Sequence, residues 1–163
     1  QQPIKLHIIG RGRSRQRKML AKQIRKLGLE EHVLVQPAVP HHEIPEVISK
    51  ADICVAPLGL NDRNVTQGAC PIKVLEYMAA GRPLIASNMP IVRELLREDV
   101  DGLLFSPSDP DDLARQAGIL LKDIELSKRL AESAAAHVRE KFTWHESQKK
   151  LVKVYEKLVM REE

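Results

Sequence analysis

Five short runs of apolar, largely β-branched residues are spaced along the chain with a helix-period segment between each and the next, and this alternation restricts the fold more than any other feature. The runs are Ile4–Ile9, His32–Gln36, Asp52–Ala56, Leu84–Ala86 and Gly102–Phe105. They lack the apolar–polar alternation of a strand that is wet on one face, so they belong in a parallel sheet covered by helices on both sides. The expected fold class is α/β, a Rossmann-like doubly wound parallel sheet. Ser14 is positioned to cap a helix carrying Met19, Leu20, Ile24 and Leu27 that Gly28 stops, and a second helix is expected around Glu43–Lys50. Pro90 opens a third through Arg97 with Ile91, Val92, Leu95 and Leu96 inward, and Asp109 caps a fourth to about Lys122. The tail reads as two helices within about residues 125–161, the second opened by Thr143 and Glu146 as a capping box. At 163 residues the chain can bury one substantial core, which predicts a single domain over 1–163.

One stretch stands apart from this framework. Pro71 to Pro83, Pro-Ile-Lys-Val-Leu-Glu-Tyr-Met-Ala-Ala-Gly-Arg-Pro, reads as a short helix begun near Pro71, ended at Gly81 and leading into the Leu84 strand. Spacing by three and four puts Ile72, Leu75 and Ala79 on one face, expected inward, with Glu76 beside it and close enough to the helix start to face a ligand. Before it lies Gly59–Gly68, the longest segment without an apolar period, which in a compact domain marks a working loop. Ligands of such folds sit at the carboxyl ends of the strands, so the loops after Ile9, Gln36, Ala56 and Ser87 are the places to look.

Charge and composition narrow the classes of function. A net charge of +4 suits an anionic ligand or an anionic membrane surface and falls far short of a polybasic protein. With 3% aromatic residues the stacking platforms for single-stranded nucleic acid are missing, and no nucleic-acid partner is expected. Cys54 and Cys70 form no disulfide framework or zinc set, and His7, His32, His41, His42, His137 and His145 show no metal spacing, so neither metal nor cofactor is expected. No apolar run approaches the roughly 18 residues of a membrane span, and the expected location is cytoplasmic, or peripheral at a membrane. Gly10-Arg11-Gly12 between strand and helix invites a dinucleotide reading, but Arg15 stands where the third glycine belongs and the second strand ends Val35-Gln36 without an acid. Arg11, Arg13, Arg15, Arg17 and Lys18 oppose the dipole of the helix they precede, which a nearby phosphate or anionic lipid would relieve. No catalytic triad or nucleophile can be assembled.

From Ile4 to about Leu158 the chain resembles the C-terminal, donor-binding domain of retaining glycosyltransferases of the GT-B fold, glycosyltransferase group 1. The resemblance rests on Ile8-Ile9-Gly10-Arg11-Gly12, on Ala51 to Pro57, on Leu75-Glu76-Tyr77-Met78-Ala79-Ala80-Gly81-Arg82-Pro83, on Asp101-Gly102-Leu103-Leu104 and on Phe142-Thr143-Trp144. It implies that Glu76 hydrogen-bonds the ribose of a nucleotide-diphosphate sugar, that the amides around Ile72 hold the diphosphate with Lys73 as its partner, that Val39 contacts the base through its backbone, and that Gly10 and Gly12 leave room beside the nucleotide. The family pairs its glutamate with an earlier one, with seven residues between the two, and that earlier position is Gly68. The family domain also begins one strand and helix earlier and follows an acceptor-binding N-terminal domain. The chain is therefore expected to be a fragment of a two-domain protein, inactive alone, with no catalytic residue of its own and an incomplete sheet that an oligomer could fill. A non-catalytic nucleotide- or partner-binding Rossmann-like module is the alternative.

Overall fold

The computed structural model of the chain describes residues 4–159; the last two residues of the expected tail helix lie outside them. The chain divides into two compact units, Gln1–Ile44 and Pro45–Glu163.

In the first unit β1 (Leu6–Ile9) and β2 (Val33–Gln36) pair in parallel, Leu6 opposite Val33 and Ile9 opposite Gln36. Between them runs α1 (Ser14–Lys26), the crossover that a parallel pair requires. Ser14 is the first helical residue and not the cap: the turn is closed by the Gln16 side chain, which accepts from the Arg13 amide at 2.9 Å. Gly28 ends the helix as expected, its amide donating to Arg25 O and that of Leu29 to Ile24 O. A 3₁₀ turn at His41–Glu43 leads out of the unit.

The second unit holds the core. Past α2 (Ile44–Ser49), which begins on the last residue of the first unit, β3 (Cys54–Ala56), β4 (Leu84–Ser87) and β5 (Leu103–Phe105) form a three-stranded parallel sheet with β4 central. Among the described residues no ladder joins this sheet to the β1–β2 pair, so the expected incomplete sheet takes the form of two separate ones. Every residue of β4 and β5 is buried, the signature of a sheet covered on both faces.

The helices of this unit are α3 (Asp62–Val65), α4 (Ile72–Ala79), α5 (Pro90–Arg93), α6 (Pro110–Lys122), α7 (Ile124–Lys141) and α8 (Trp144–Val159). Ile85, Leu103, Phe105, Leu120 and Leu130 make one continuous cluster between the sheet, α6 and α7. Elsewhere α4 packs on α7, whose Ala131, Ala134 and Ala135 keep the helices close. Fully buried Met78, Leu84, Ile85 and Leu130 each contribute roughly 1.5–3 kcal/mol. Asp109 caps α6 through its carboxylate, which accepts from the Asp111 and Asp112 amides at 3.0 Å. Only half of the capping box at α8 forms, Thr143 Oγ1 accepting from the Glu146 amide, because the Glu146 carboxylate pairs with Lys149 at 2.7 Å. The helix begun by Pro90 stops at Arg93, four residues early, although Leu95 and Leu96 are still buried.

A buried carboxylate stitches the turn that leads into β5 to the helix α7. Asp101 accepts from Arg97 Nε and Nη2 at 2.7 Å each, from Ser133 Oγ at 2.9 Å, and meets His137 Nδ1 at 2.6 Å. Phe142 closes over the imidazole edge-on at 5.4 Å. Gly102 follows under β4, where a Cβ would stand 2.7 Å from Leu84 O.

Candidate functional site

The candidate site is built at the carboxyl end of β3 and the start of α4. Leaving β3, the chain is pinned from below: the Leu58 amide donates to the buried Ser87 Oγ at 2.8 Å, at the end of β4. It then forms α3, a helical turn inside what the sequence presents as pure loop. Asn61 caps it by accepting from the Asn64 amide, and the Asn64 side chain donates back to Gly59 O at 2.8 Å. Gly68 follows with φ +68°, a left-handed conformation that strains any residue with a side chain. The position that lacks the expected glutamate is thus a turn that favours glycine.

Pro71 is the N-cap of α4 and not its first residue, and no side chain caps the helix start. The Ile72 amide donates to Cys70 O at 3.0 Å and the Val74 amide to Pro71 O at 2.8 Å. The first turn carries no acidic residue, so its positive end is uncompensated. Lys73 is exposed, and neither it nor Glu76 forms an ion pair among the described residues. Glu76 is half-buried one turn into the helix.

The expected inward face of this helix is corrected by the structure. Val74 and Met78 are fully buried, Leu75 is half-buried, Ala79 is exposed, and Ile72 is 64% exposed. Six apolar side chains among eight helical residues allow two stripes, and packing against β4 and α7 selects the Val74–Met78 one. Ile72 is thereby left at the mouth of the helix with Lys73. Gly68, Ile72, Lys73 and Glu76 share one continuous segment, from the last loop turn to the second helical turn.

Gly10, Gly12 and Val39 belong to the first unit. Gly10 and Gly12 leave the carboxyl end of β1, and the Gly10 amide donates to Gln36 O at 3.2 Å. Neither glycine adopts a positive φ; a Cβ built on Gly10 would meet no atom within 4 Å, whereas one on Gly12 would stand 3.4 Å from the Arg17 side chain. Val39 is half-buried beyond the end of β2.

Of the two thiols only Cys54 is buried. Burial pushes Cys54 up to about 11, only partly offset by the nearby Arg82 guanidinium, and Cys70 is exposed and unpaired. Burial also raises the Tyr77 phenol, helped by Cys54 and Glu76 beside it. Among the described residues no group of three or more His, Cys, Asp or Glu side chains could hold a metal ion. No described helix is long and apolar enough to cross a membrane. Sequence reasoning gave no role to Ser87; a hydroxyl ending an otherwise apolar buried strand was the available signal.

A family model, glycosyl transferases group 1, matches residues 1–137. The chain belongs to that family. Among curated relatives it is 27% identical over 139 residues to the alpha-D-kanosaminyltransferase of Streptomyces kanamyceticus, covering 85% of this chain and 34% of that one. It is 30% identical over 129 residues to the D-inositol 3-phosphate glycosyltransferase of Salinispora tropica, covering 79% of this chain and 25% of the relative. The chain therefore spans about a third or less of these relatives' length. Among solved structures it overlays Anabaena Alr3699/HepE in complex with UDP and glucose with a TM-score of 0.81 at 20% identity, covering 94% of this chain and 40% of that one. The C-terminal domain of the group 1 glycosyl transferase LpcC from Francisella tularensis gives 0.74 at 22% identity, covering 86% and 70%. The α/β fold is that of GT-B glycosyltransferase C-terminal domains.

Proposed function

We propose that this chain is the donor-binding half of a retaining glycosyltransferase, whose whole protein transfers a sugar from a nucleotide-diphosphate sugar to an acceptor. The observation that carries the reading is the start of α4: a helix end without a side-chain cap, an exposed lysine in its first turn and a half-buried glutamate one turn on with no ion-pair partner. A helix N-terminus attracts a diphosphate, and a carboxylate accepts two hydrogen bonds from the vicinal hydroxyls of a ribose. On this reading Glu76 holds the ribose, and Lys73 with the backbone at Ile72 faces the diphosphate. Val39 meets the base, and Gly10, Gly12 and Gly68 give the ligand space. Ile72 N–H is already engaged with Cys70 O, so Lys73 carries more of the phosphate charge than the helix end alone would suggest. The diphosphate is stabilised as it leaves the sugar, without a metal. The chain supplies no catalytic side chain and is inactive alone; the acceptor groups lie in an N-terminal domain of a longer, cytosolic protein.

Titration calorimetry with nucleoside diphosphates tests this. One of them binds, and Glu76→Ala weakens it by about tenfold to a hundredfold, the loss of one or two hydrogen bonds to a charged group. Binding unchanged in Glu76→Ala overturns the assignment. Binding of no nucleoside diphosphate favours the non-catalytic module, a reading to which the side-chain-free turn at Gly68 lends support.

A further inference from the structure

The charge of this chain is unevenly distributed. Residues 1–29 hold nine Lys or Arg and no Asp or Glu; the remaining residues hold 17 and 22, so the chain's +4 divides into +9 and −5. Six of the nine cations sit on α1. At about 100° per residue, Arg15, Lys18, Lys22, Arg25 and Lys26 fall within one sector about 100° wide. All five are exposed, and Leu20 and Ile24, the partly buried residues of α1, lie on the opposite side. Arg15, Lys18 and Lys22 line one shallow surface depression with Ser14 and Met19, and Met19 is 59% exposed.

The cations of α7 and α8 in this same molecule are interleaved with acids. Lys128 pairs with Glu125 on α7 at 3.2 Å, Lys149 with Glu146 on α8 at 2.7 Å, and Lys50 with Glu46 beside α2 at 2.6 Å. On α1 no cation forms an ion pair among the described residues, and its first turn holds no acid. Like charges three and four residues apart weaken an isolated helix, and cations at its start oppose its dipole. The arrangement is unfavourable in water and favourable against a surface of opposite charge.

We propose that this face of α1 docks on an anionic lipid bilayer, with Arg15, Lys18, Lys22, Arg25 and Lys26 at the headgroup phosphates and Met19 at the apolar margin. A helix of 13 residues presents these charges along a straight line about 20 Å long, which matches a flat charged sheet. A cluster of about four to eight Lys or Arg on one helix is of the size that anionic leaflets retain. Nucleic acid is the poorer match, because no aromatic residue occurs before Tyr77 to stack a base. This inference does not depend on the donor-binding reading.

The test is sedimentation of the whole chain with phosphatidylcholine vesicles that contain or lack phosphatidylglycerol. Binding is expected only with phosphatidylglycerol, falling steeply with salt and, at constant ionic strength, unaffected by free inorganic phosphate. The combined variant Arg15→Gln, Lys18→Gln, Lys22→Gln, Arg25→Gln and Lys26→Gln, checked for retained helix by circular dichroism, lowers partitioning at least about tenfold. The comparison variant Lys149→Gln, Lys150→Gln, Lys153→Gln and Lys157→Gln, which removes the four cations of α8, leaves it unchanged. Equal binding to neutral vesicles, equal loss from the α8 variant, competition by inorganic phosphate, or tighter binding of a single-stranded RNA than of the anionic vesicles would each overturn the proposal.

Discussion

At the scale of single residues, Asp101 ties its neighbourhood together through charge. Burial alone would raise its carboxyl, but the hydrogen bonds from Arg97, Ser133 and His137 outweigh that and bring it down to about 2. A folded-state value below the unfolded one stabilises the protein at every pH above the unfolded carboxyl range. That contribution is lost as pH falls from about 4 towards 2. Asp101→Asn removes the charge while keeping the shape; Arg97 stays half-solvated, so the cost is about 2–3 kcal/mol in urea unfolding at neutral pH, shrinking towards zero as the pH approaches 2. A cost unchanged across that acid range would show that charge is not the cause. Residues at this scale were unevenly legible. Glu76 could be picked out because it lies in a recognisable helix start, whereas the pairing of Asp101 with His137 spans 36 residues and leaves no local pattern. Ile72 was misplaced because spacing alone could not decide between two apolar stripes.

At the scale of elements, the strands and helices could be read from apolar runs, caps and the glycine at 28, but their pairing could not. β3 illustrates why: its sequence is that of a buried central strand, with Cys54 and Ala56 buried, yet in the sheet it is an edge. The Cys54 amide donates to Pro83 O on the β4 side, so by the alternation of a strand the Val55 amide faces the unpaired edge. Hydrogen exchange on the isolated chain at low concentration should find Cys54 protected and Val55 fast. If the edge is filled by a second copy, protection of Val55 rises with concentration. Protection of Val55 at all dilutions would mean that the chain completes its own sheet. The short helix α3 escaped the sequence because three polar residues and one apolar carry no period; its cap, Asn61, was the only cue. The apolar side of α8, with Trp144, Leu151, Tyr155 and Leu158 all exposed, likewise follows from a periodicity that the sequence shows and a packing partner that it does not.

At the scale of the whole molecule, the two units differ in how much they bury. No described residue of 4–44 is buried, whereas the second unit contains the entire core. Stability follows burial, so unfolding should not be uniform. Trypsin at low ratio is expected to cut first within residues 5–26, where exposed Lys and Arg are densest, leaving a resistant product that begins at Leu27, because the next Lys or Arg is Lys50; initial cleavage in α6 or α7 would contradict this. Chain length cannot register where buried area is concentrated. Within the resistant part, Asp101 and Gly102 are adjacent positions restricted for unrelated reasons. One carries a charge that several partners require, and the other has backbone where a side chain would go. No single substitution can relieve both restrictions, so a lineage drifting away from this sequence must keep the pair or change several distant sites together, and the two buried residues become a fixed landmark.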